Sequence, residues 1–337
     1  MKINKITSAQ VAKLAGVSQS AVSRVFTKGA SASKTTVFKV KHAADTLGYR
    51  PNSLARAMVS GKSYIIGVIV AYLENQFYPE ALERLSNSLQ ARGYHVLIFM
   101  AGKNMENIDH VVEEILDYQV DGIIAASVAL SSTLSERCLA ANIPIVLFNR
   151  SQDNPSMSFV TSDNYAGGIK VGKFLIESGH TKIGYIAGWK GASTQRDREA
   201  GLRSILNSYD LDIFKTEQGN FVGLEARLAT QRMLMRQIPT AIFVANDHMA
   251  FSVMDTIRYE LNLKIPEDIS IVGYDNVPAS SWLSYSLTTV DQPVKEMVVK
   301  TVDLLVEKIE KPNDKIERVK IDGGLIIRGS TAELKGI

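Results

Sequence analysis

Residues 11–26, VAKLAGVSQSAVSRVF, carry Gln19, Ser20 and Arg24 as polar side chains on one face of a short run whose other face is Ala21, Val22 and Val25. An arginine can donate to both O6 and N7 of guanine, and a glutamine can bridge the edge of adenine, for about 1–3 kcal/mol of base discrimination each. Two short helices that merely share a core would show the same pattern, so the neighbouring elements have to decide. Catalytic chemistry finds no support. No Gly-x-Gly-x-x-Gly follows the first strand-like run, and the GKS at 61–63 lacks a P-loop because position 56 is Arg56. The five histidines (His42, His95, His110, His180, His248) have no metal-site spacing, and no Gly-x-Ser-x-Gly elbow occurs. An enzyme, a cofactor and a bound metal are therefore not expected.

The elements around the first stretch are helical. Thr7 and Gln10 have the spacing of a capping box that starts a helix at residue 8, with Val11, Ala12, Leu14 and Ala15 as its buried stripe. Gly16 permits a sharp turn, and Ser18 caps a second helix running to Phe26. Ser33 and Thr36 open a third, where Val37, Val40, Ala43, Ala44 and Leu47 recur at helical spacing before Gly48. YRPN at 49–52 breaks the chain, and Asn52 can cap one or two further turns over SLARAM before SGKS at 60–63.

Charge singles out the same region. Residues 1–62 hold 11 Lys/Arg and one acid, Asp45, a net of +10, whereas the rest of the chain holds 27 basic and 34 acidic residues, a net of −7. A basic head on an acidic body points to nucleic acid, and regular caps argue against a disordered basic tail.

Beyond residue 63 strand-like and helical runs alternate. Strands are expected at 65–70, 95–100, 122–127, 144–148, 158–163, 182–188, 240–247 and 269–275, with a late strand in LTTVDQP (287–293) and a helix over 294–310. Continuous apolar strands separated by amphipathic helices predict parallel sheets covered on both faces. Two series of similar length predict two similar halves, with a ligand crevice beyond the carboxyl ends of the strands. The closing RVKIDGGLIIRGS suggests that the chain crosses between the halves more than once.

At 45% hydrophobic and 22% charged the 337 residues have the composition of a soluble globular protein. The longest apolar run, YIIGVIVAYL (64–73), is well short of the roughly 20 residues of a membrane span. The N-terminus lacks an apolar signal core and Cys138 is the only cysteine, so a reducing cytoplasm is the expected compartment, on the nucleoid when DNA is bound.

With these elements in place, the chain resembles the lactose-repressor/galactose-repressor (LacI/GalR) family of transcription regulators. The resemblance runs from VAKLAGVSQSAVSRVF through LGYRPNSLARAM, SDNYAGG, REAGL, ANDHMA and VGYDN to LTTVDQP and IIRGST. It implies an N-terminal all-α helix-turn-helix head (1–50), a short hinge helix (51–62) and an α/β periplasmic-binding-protein-like core of two doubly wound parallel-sheet lobes. The lobes would comprise 63–162 with about 291–322 and 163–290 with about 323–337. In such a head the second helix enters the major groove of double-stranded operator DNA, so Gln19, Ser20 and Arg24 are expected on base edges. Ser18, Ser23, Lys13, Lys28, Lys34 and Lys39 suit phosphates.

In the family the hinge helix pairs with its dimer mate and wedges a leucine into the minor groove. Here Asn52, Leu54, Ala55 and Met58 occupy the hinge, with Met58 at the leucine's position; Met also serves as a wedge, and Leu54 and Met58 could instead simply pack at i,i+4. The resemblance further implies a small-molecule effector, a sugar or sugar derivative, held by Arg198 of REAGL, Asn246 with Asp247, and Asp275. Phe77, Tyr78 and Phe221 match ring-stacking positions, to which Trp189 is added; Asn149 follows the strand at 144–148 and is expected to face the cleft, and His248 is placed to cap its helix or meet the ligand. Where the purine-binding branch carries an additional Arg this chain has Ala192, which favours a sugar. A homodimer is expected, because nine residues follow Arg328 where tetrameric members carry a leucine-heptad tail. A sugar-transport binding protein, which shares the two-lobed fold, is the rival reading; the +10 head argues against it.

Overall fold

The three helices of the basic region are each started by a side chain that meets an orphan backbone N–H. The computed structural model describes residues 6–27, 30–50, 62–71, 73–101, 105–126, 128, 136–138, 140–153, 156–235, 237–312 and 315–334. Helix α1 (Ser8–Ala15) is opened by the Thr7–Gln10 capping box and closed by Gly16, whose φ of 65° is left-handed. Ser18 accepts from the Ala21 N–H at 3.2 Å to start α2 (Gln19–Val25), and Ser33 does the same from Thr36 for α3 (Lys34–Leu47). Each such cap is worth about 1 kcal/mol, which matters for helices this short. Their core is made of small side chains: Val11, Ala12, Ala15, Val22, Val40, Ala43 and Ala44, flanked by Phe26 and Tyr49 with ring centroids 6.0 Å apart. Leu14, expected in the buried stripe, is 53% exposed. The interior is filled by alanine and valine, and Leu14 lies off the α1 face formed by Val11, Ala12 and Ala15, toward solvent. Asn52, Leu54, Ala55, Met58 and Lys28 lie outside the described residues.

Residues 1–63 form one compact unit and 64–337 another. The second contains two six-stranded sheets. One is ordered β11-β5-β4-β3-β1-β2, from β1 (Ile65–Val70), β2 (His95–Met100), β3 (Gly122–Ala126), β4 (Ile145–Phe148), β5 (Ser158–Ser162) and β11 (Arg318–Ile321). The other is ordered β12-β10-β9-β8-β6-β7, from β6 (Ile183–Ala187), β7 (Lys215–Gln218), β8 (Ala241–Val244), β9 (Ser270–Asp275), β10 (Thr288–Asp291) and β12 (Leu325–Ile326). All pairings are parallel except β10 with β12. The fully buried strands β3, β6 and β8 explain the unbroken apolar runs of the sequence. β7, KTEQ, is a half-buried edge strand whose polar residues give no such signal.

Three segments cross between the sheets: 162–164 from β5 into α6 (Asn164–Glu177), 291–294 from β10 into α10 (Val294–Glu310), and 321–325 from β11 to β12. Helix α4 (Phe77–Ala91) covers the first sheet beside α10, and α5 (Met105–Asp117) lies in the same lobe. The second sheet is covered by α6, α7 (Ser193–Asn207), α8 (Gly223–Leu234) and α9 (Asp247–Asp255), the last running into a π-turn at Thr256–Glu260.

The α6–α7 crossing is built from glycine. A Cβ on Gly168 would strike the Arg198 carbonyl oxygen, one on Gly201 the Tyr165 carbonyl, and one on Gly172 the Ile205 side chain. Arg198 and Gly201 share a face at i,i+3, so the Arg-x-x-Gly spacing seats the helix backbone-to-backbone while the arginine reaches forward to the strand ends. Gly201→Ala must push two backbones apart. Its expected cost is about 1–3 kcal/mol, the range for overpacking, measured as a lower midpoint in chemical unfolding of the full chain.

Candidate functional site

Two surfaces gather polar chemistry. On the head, Gln19, Ser20, Ser23 and Arg24 of α2 are all exposed, as are Ser18, Lys13, Lys34 and Lys39. Val22 faces the core at 1% exposure, with Ala21 and Val25 half-buried. The Ser18 hydroxyl, besides capping α2, lies 2.9 Å from that of Ser20. Gln19 Nε2 donates to the Ser8 hydroxyl at 2.9 Å, which holds its amide against the start of α1. The N-terminal half of α2 thus presents neutral hydrogen-bonding groups, followed one turn later by a guanidinium, with no acidic residue in the helix.

The second surface lies at the carboxyl ends of the strands, between the lobes. Arg198 of α7 is 2% exposed and lies over the Tyr274 ring, its guanidinium carbon 3.6 Å from the centroid. Nε donates to Asn164 Oδ1 at 2.8 Å, Nη1 donates to the Ala245 carbonyl, and Nη2 stands 3.6 Å from Asp275 Oδ1. Asp275 ends β9 with a φ of 124° and is buried. Its Oδ1 accepts from Gln292 Nε2 at 2.6 Å and its Oδ2 from Asn75 Nδ2 at 3.0 Å, the latter reaching across from the other lobe. Burial pushes the Asp275 carboxyl above its ordinary range, and the nearby Arg198 opposes that shift.

Asn149 follows β4 with a φ of 64°, Asn220 and Phe221 follow β7 with φ of 50° and 62°, and Asn276 follows Asp275 with a φ of 55°. Left-handed backbone is costly for such residues and concentrates where a strand end must turn a side chain toward a site. Asn149 Nδ2 donates to the Tyr78 hydroxyl at 3.1 Å, and its buried Oδ1 has no hydrogen-bond partner among the described residues. The Phe221 ring fills the space over Gly188, where any Cβ would collide with it. Phe77 is 3% exposed and stacks on Phe148 at 6.2 Å, so it serves as the floor of lobe one. Tyr78 stands edge-on to it at 5.3 Å. Trp189 is 40% exposed at the rim, with the Arg150 guanidinium 5.6 Å from its ring. The Ser151 N–H donates to Ser193 Oγ at 2.9 Å, and Arg196 pairs with Asp153 at 3.2 Å. These contacts, with Asn75–Asp275, join the lobes across the crevice.

Two expectations change. Asp247, grouped with Asn246 as a polar pair for a ligand, turns inward. It is fully buried, with Oδ1 accepting from Thr289 Oγ1 at 2.6 Å and Oδ2 from the Val277 N–H at 3.0 Å. A carboxylate held by strand β10 and the turn after β9 braces these elements. The cap of α9 comes from Asn246, whose Oδ1 accepts from the Met249 N–H at 3.0 Å, and not from His248. Asn75, Asn164, Arg150 and Gln292 were not singled out. Asn164 and Gln292 sit inside SDNYAGG and LTTVDQP, where their polar character between apolar strand and helix was a usable sign; Asn75 lies in a loop that offers none. Among the described residues no cluster of His, Cys, Asp or Glu could hold a metal, and burial pushes the Cys138 thiol up to about 11.

A basic helix-turn-helix head and two parallel-sheet lobes closed over a buried Arg–Asp pair define a ligand-responsive DNA-binding regulator. Residues 9–52 match the profile of bacterial regulatory proteins of the lacI family, and 173–331 that of a periplasmic binding protein-like domain. The HTH-type transcriptional repressor PurR of Aliivibrio salmonicida (strain LFI1238) is 30% identical over 339 residues, covering 97% of this chain and 99% of that protein. The lac repressor dimer bound to operator and the anti-inducer ONPF superposes with a TM-score of 0.88 at 27% identity, over 98% and 100% of the two chains. A LacI-family regulator from Enterococcus faecium with bound ribose gives 0.74 at 26%, over 80% and 100%. The chain belongs to the LacI/GalR family of transcription regulators. No helix among the described residues is long and apolar enough to cross a membrane.

The buried carboxyls generate a pH prediction. Desolvation, and the neighbouring Asp275 charge, hold the Asp247 carboxyl well above its ordinary range. The folded chain therefore binds protons more tightly than the unfolded one. Its stability from this pair rises as pH falls from neutral toward about 4, and is lost as pH rises through the folded titration. In Asp247→Asn the amide can donate to the Thr289 hydroxyl and still accept from the Val277 N–H. Equal or greater stability at neutral pH is expected, with a pH slope shallower by up to about 1.4 kcal/mol per unit, measured by denaturant unfolding at several pH values.

Proposed function

We propose that the chain is a transcriptional repressor that binds a pseudo-palindromic operator as a homodimer and is controlled by a neutral sugar or sugar derivative in the crevice between its lobes. The observation that carries the effector reading is the charge balance around Asp275. Its carboxylate is met by Arg198, the side chains that hydrogen-bond to the pair are the neutral amides of Asn75, Asn164 and Gln292, and Asn149 adds a further amide, with Phe77, Tyr78 and Phe221 as the aromatic side chains of the proposed set. Alternating donors and acceptors beside aromatic faces suit a hydroxyl-rich molecule without net charge, and the orphan Asn149 Oδ1 asks for a hydroxyl donor. Ala192, buried and without a polar side-chain group, supports a sugar over a purine base. Asn246 and Trp189 complete the proposed effector set.

On DNA, Gln19, Ser20 and Arg24 read base edges, and Ser18, Ser23, Lys13 and Lys34 hold phosphates. Asn52, Leu54, Ala55 and Met58 form the minor-groove hinge. The two heads read half-sites about one helical turn apart. A cytoplasmic, nucleoid-associated protein without enzymatic activity follows from this reading. The match of residues 9–52 to a regulatory head favours it over a transport binding protein.

The test is fluorescence anisotropy with the full chain at one salt concentration. The DNA is selected from a randomised pool and titrated with D-ribose, cellobiose or adenine. A palindromic selected site and a 5- to 150-fold shift by one sugar are expected. A shift by adenine alone would overturn the sugar, and selection of no common sequence would overturn operator reading. Arg24→Ala is expected to lower the ratio of specific to non-specific affinity by about 10- to 100-fold. A uniform loss on every sequence would make Arg24 a phosphate contact instead.

A further inference from the structure

The three crossovers between the lobes are bound to one another. The Asp163 N–H donates to the Ile321 carbonyl at 2.8 Å, and the Asp291 N–H to the Gly324 carbonyl at 2.8 Å. Ser162 Oγ donates to Gln292 Oε1 at 2.9 Å, joining the first crossover to the second. At Gly323 any side chain would collide with the Asp291 carbonyl, and Lys170 of α6 pairs with Asp322 and donates to the Gly323 carbonyl at 2.7 Å. Rotation of one lobe against the other has to be absorbed in these three short segments, because they are the covalent connections between the sheets.

Two buried side chains on the crossovers reach the charged pair of the crevice. Asn164 accepts from Arg198 Nε with its Oδ1, while its Nδ2 donates back to the Ser162 carbonyl at 2.9 Å and to Thr161 Oγ1 at 3.2 Å. Gln292 donates to Asp275 Oδ1 through Nε2 and accepts from Ser162 through Oε1. Both residues are 3% exposed. Thr161 in turn donates to the Asn149 carbonyl at 3.3 Å, so the path runs from one strand-end site residue, through the first crossover, to Arg198, Asp275 and the second crossover. Hydrogen bonds to ionised groups are about twice as strong as neutral ones, so this network weighs on which lobe arrangement is preferred.

We infer that Asn164 and Gln292 are positioning residues that tie the Arg198–Asp275 pair to the crossovers and thereby set the balance between closed and open lobes, and with it operator affinity. The inference goes beyond the proposed effector and rests on that reading only for what tips the balance in the cell. A link built into the protein acts on this balance whether or not a ligand is bound, so changing it changes operator affinity with none present.

The experiment uses the full chain, no small molecule, and operator DNA selected from a randomised pool by the wild type. Asn164→Ala, Gln292→Met (similar in length, without the amide) and the double variant are compared by anisotropy and thermal melting. Thr230→Ala, which removes a buried hydroxyl bonded to the Ala226 carbonyl far from the crossovers, is the structural control. The two single variants are expected to shift operator Kd at least fivefold in the same direction. The double variant should lie within twofold of the larger single effect, because either change breaks the same link. Thr230→Ala should melt lower with Kd within twofold of the wild type. Folded single variants with wild-type Kd, or shifts in opposite directions, would overturn the inference. Because no effector is added, failure here leaves the sugar reading intact, and a sugar panel without response leaves this result intact.

Discussion

The core depends on one guanidinium placed among carboxylates where water does not reach. Arg198 stands near Asp275, which is itself near Asp247, and all three are buried. Buried ions are costly unless their remaining valences are met, and here they are. The guanidinium is shared among an amide, a carbonyl, a carboxylate and the face of Tyr274. The local fold serves that arrangement. Gly168 and Gly201 let α6 and α7 touch backbone to backbone, which sets Arg198 at the depth of the strand ends, and the strained φ of Asp275 turns its carboxylate to meet it. The pair is not a stability device in itself, since well-packed apolar groups of the same volume would do as well or better. Its value lies in fixing polar groups from both lobes in one place.

That placement explains why the lobes close over the site. Asn75 comes from the loop after β1, Asp275 from the end of β9, and their hydrogen bond spans the crevice. The rim adds Arg150 over Trp189, Ser151 to Ser193 and Asp153 to Arg196. The rim ion pair is exposed and worth at most about 1 kcal/mol, whereas the inner contacts are desolvated and carry more weight. Closure is therefore governed from the inside of the crevice, where an effector would compete for the same donors and acceptors.

Much of the architecture was legible in the sequence because its signals are local. Capping residues at Thr7, Ser18 and Ser33, left-handed glycines at 16 and 48, and unbroken apolar runs for buried parallel strands each act within a few residues. Leu14 escaped because its burial depends on where two other helices lie, and β7 because an edge strand need not be apolar. In the crevice, Arg198, Asp275 and Asn149 were found from motif and strand end. The sense of Asp247 was not, because an aspartate after a strand looks the same whether it faces a ligand or braces Thr289 and Val277. Asn75 was invisible for a deeper reason: its partner is 200 positions away in the chain, and no local pattern encodes such a bond.

The two parts of the molecule solve opposite problems. The head has a small core of alanine and valine and relies on caps, so its stability is local and its α2 surface stays free for recognition. The lobes each have a large apolar core of their own, apart from the polar contacts that cross the crevice. A few polar bonds can therefore be made and broken between rigid lobes without unfolding either one. The covalent links between the lobes are the three crossovers, which are short and mutually bonded, and two of them are attached to the charged pair through Asn164 and Gln292. Within the second lobe the close seating of α6 on α7 leaves little slack between these helices, so a change of hydrogen bonds at the strand ends has the crossovers as its outlet.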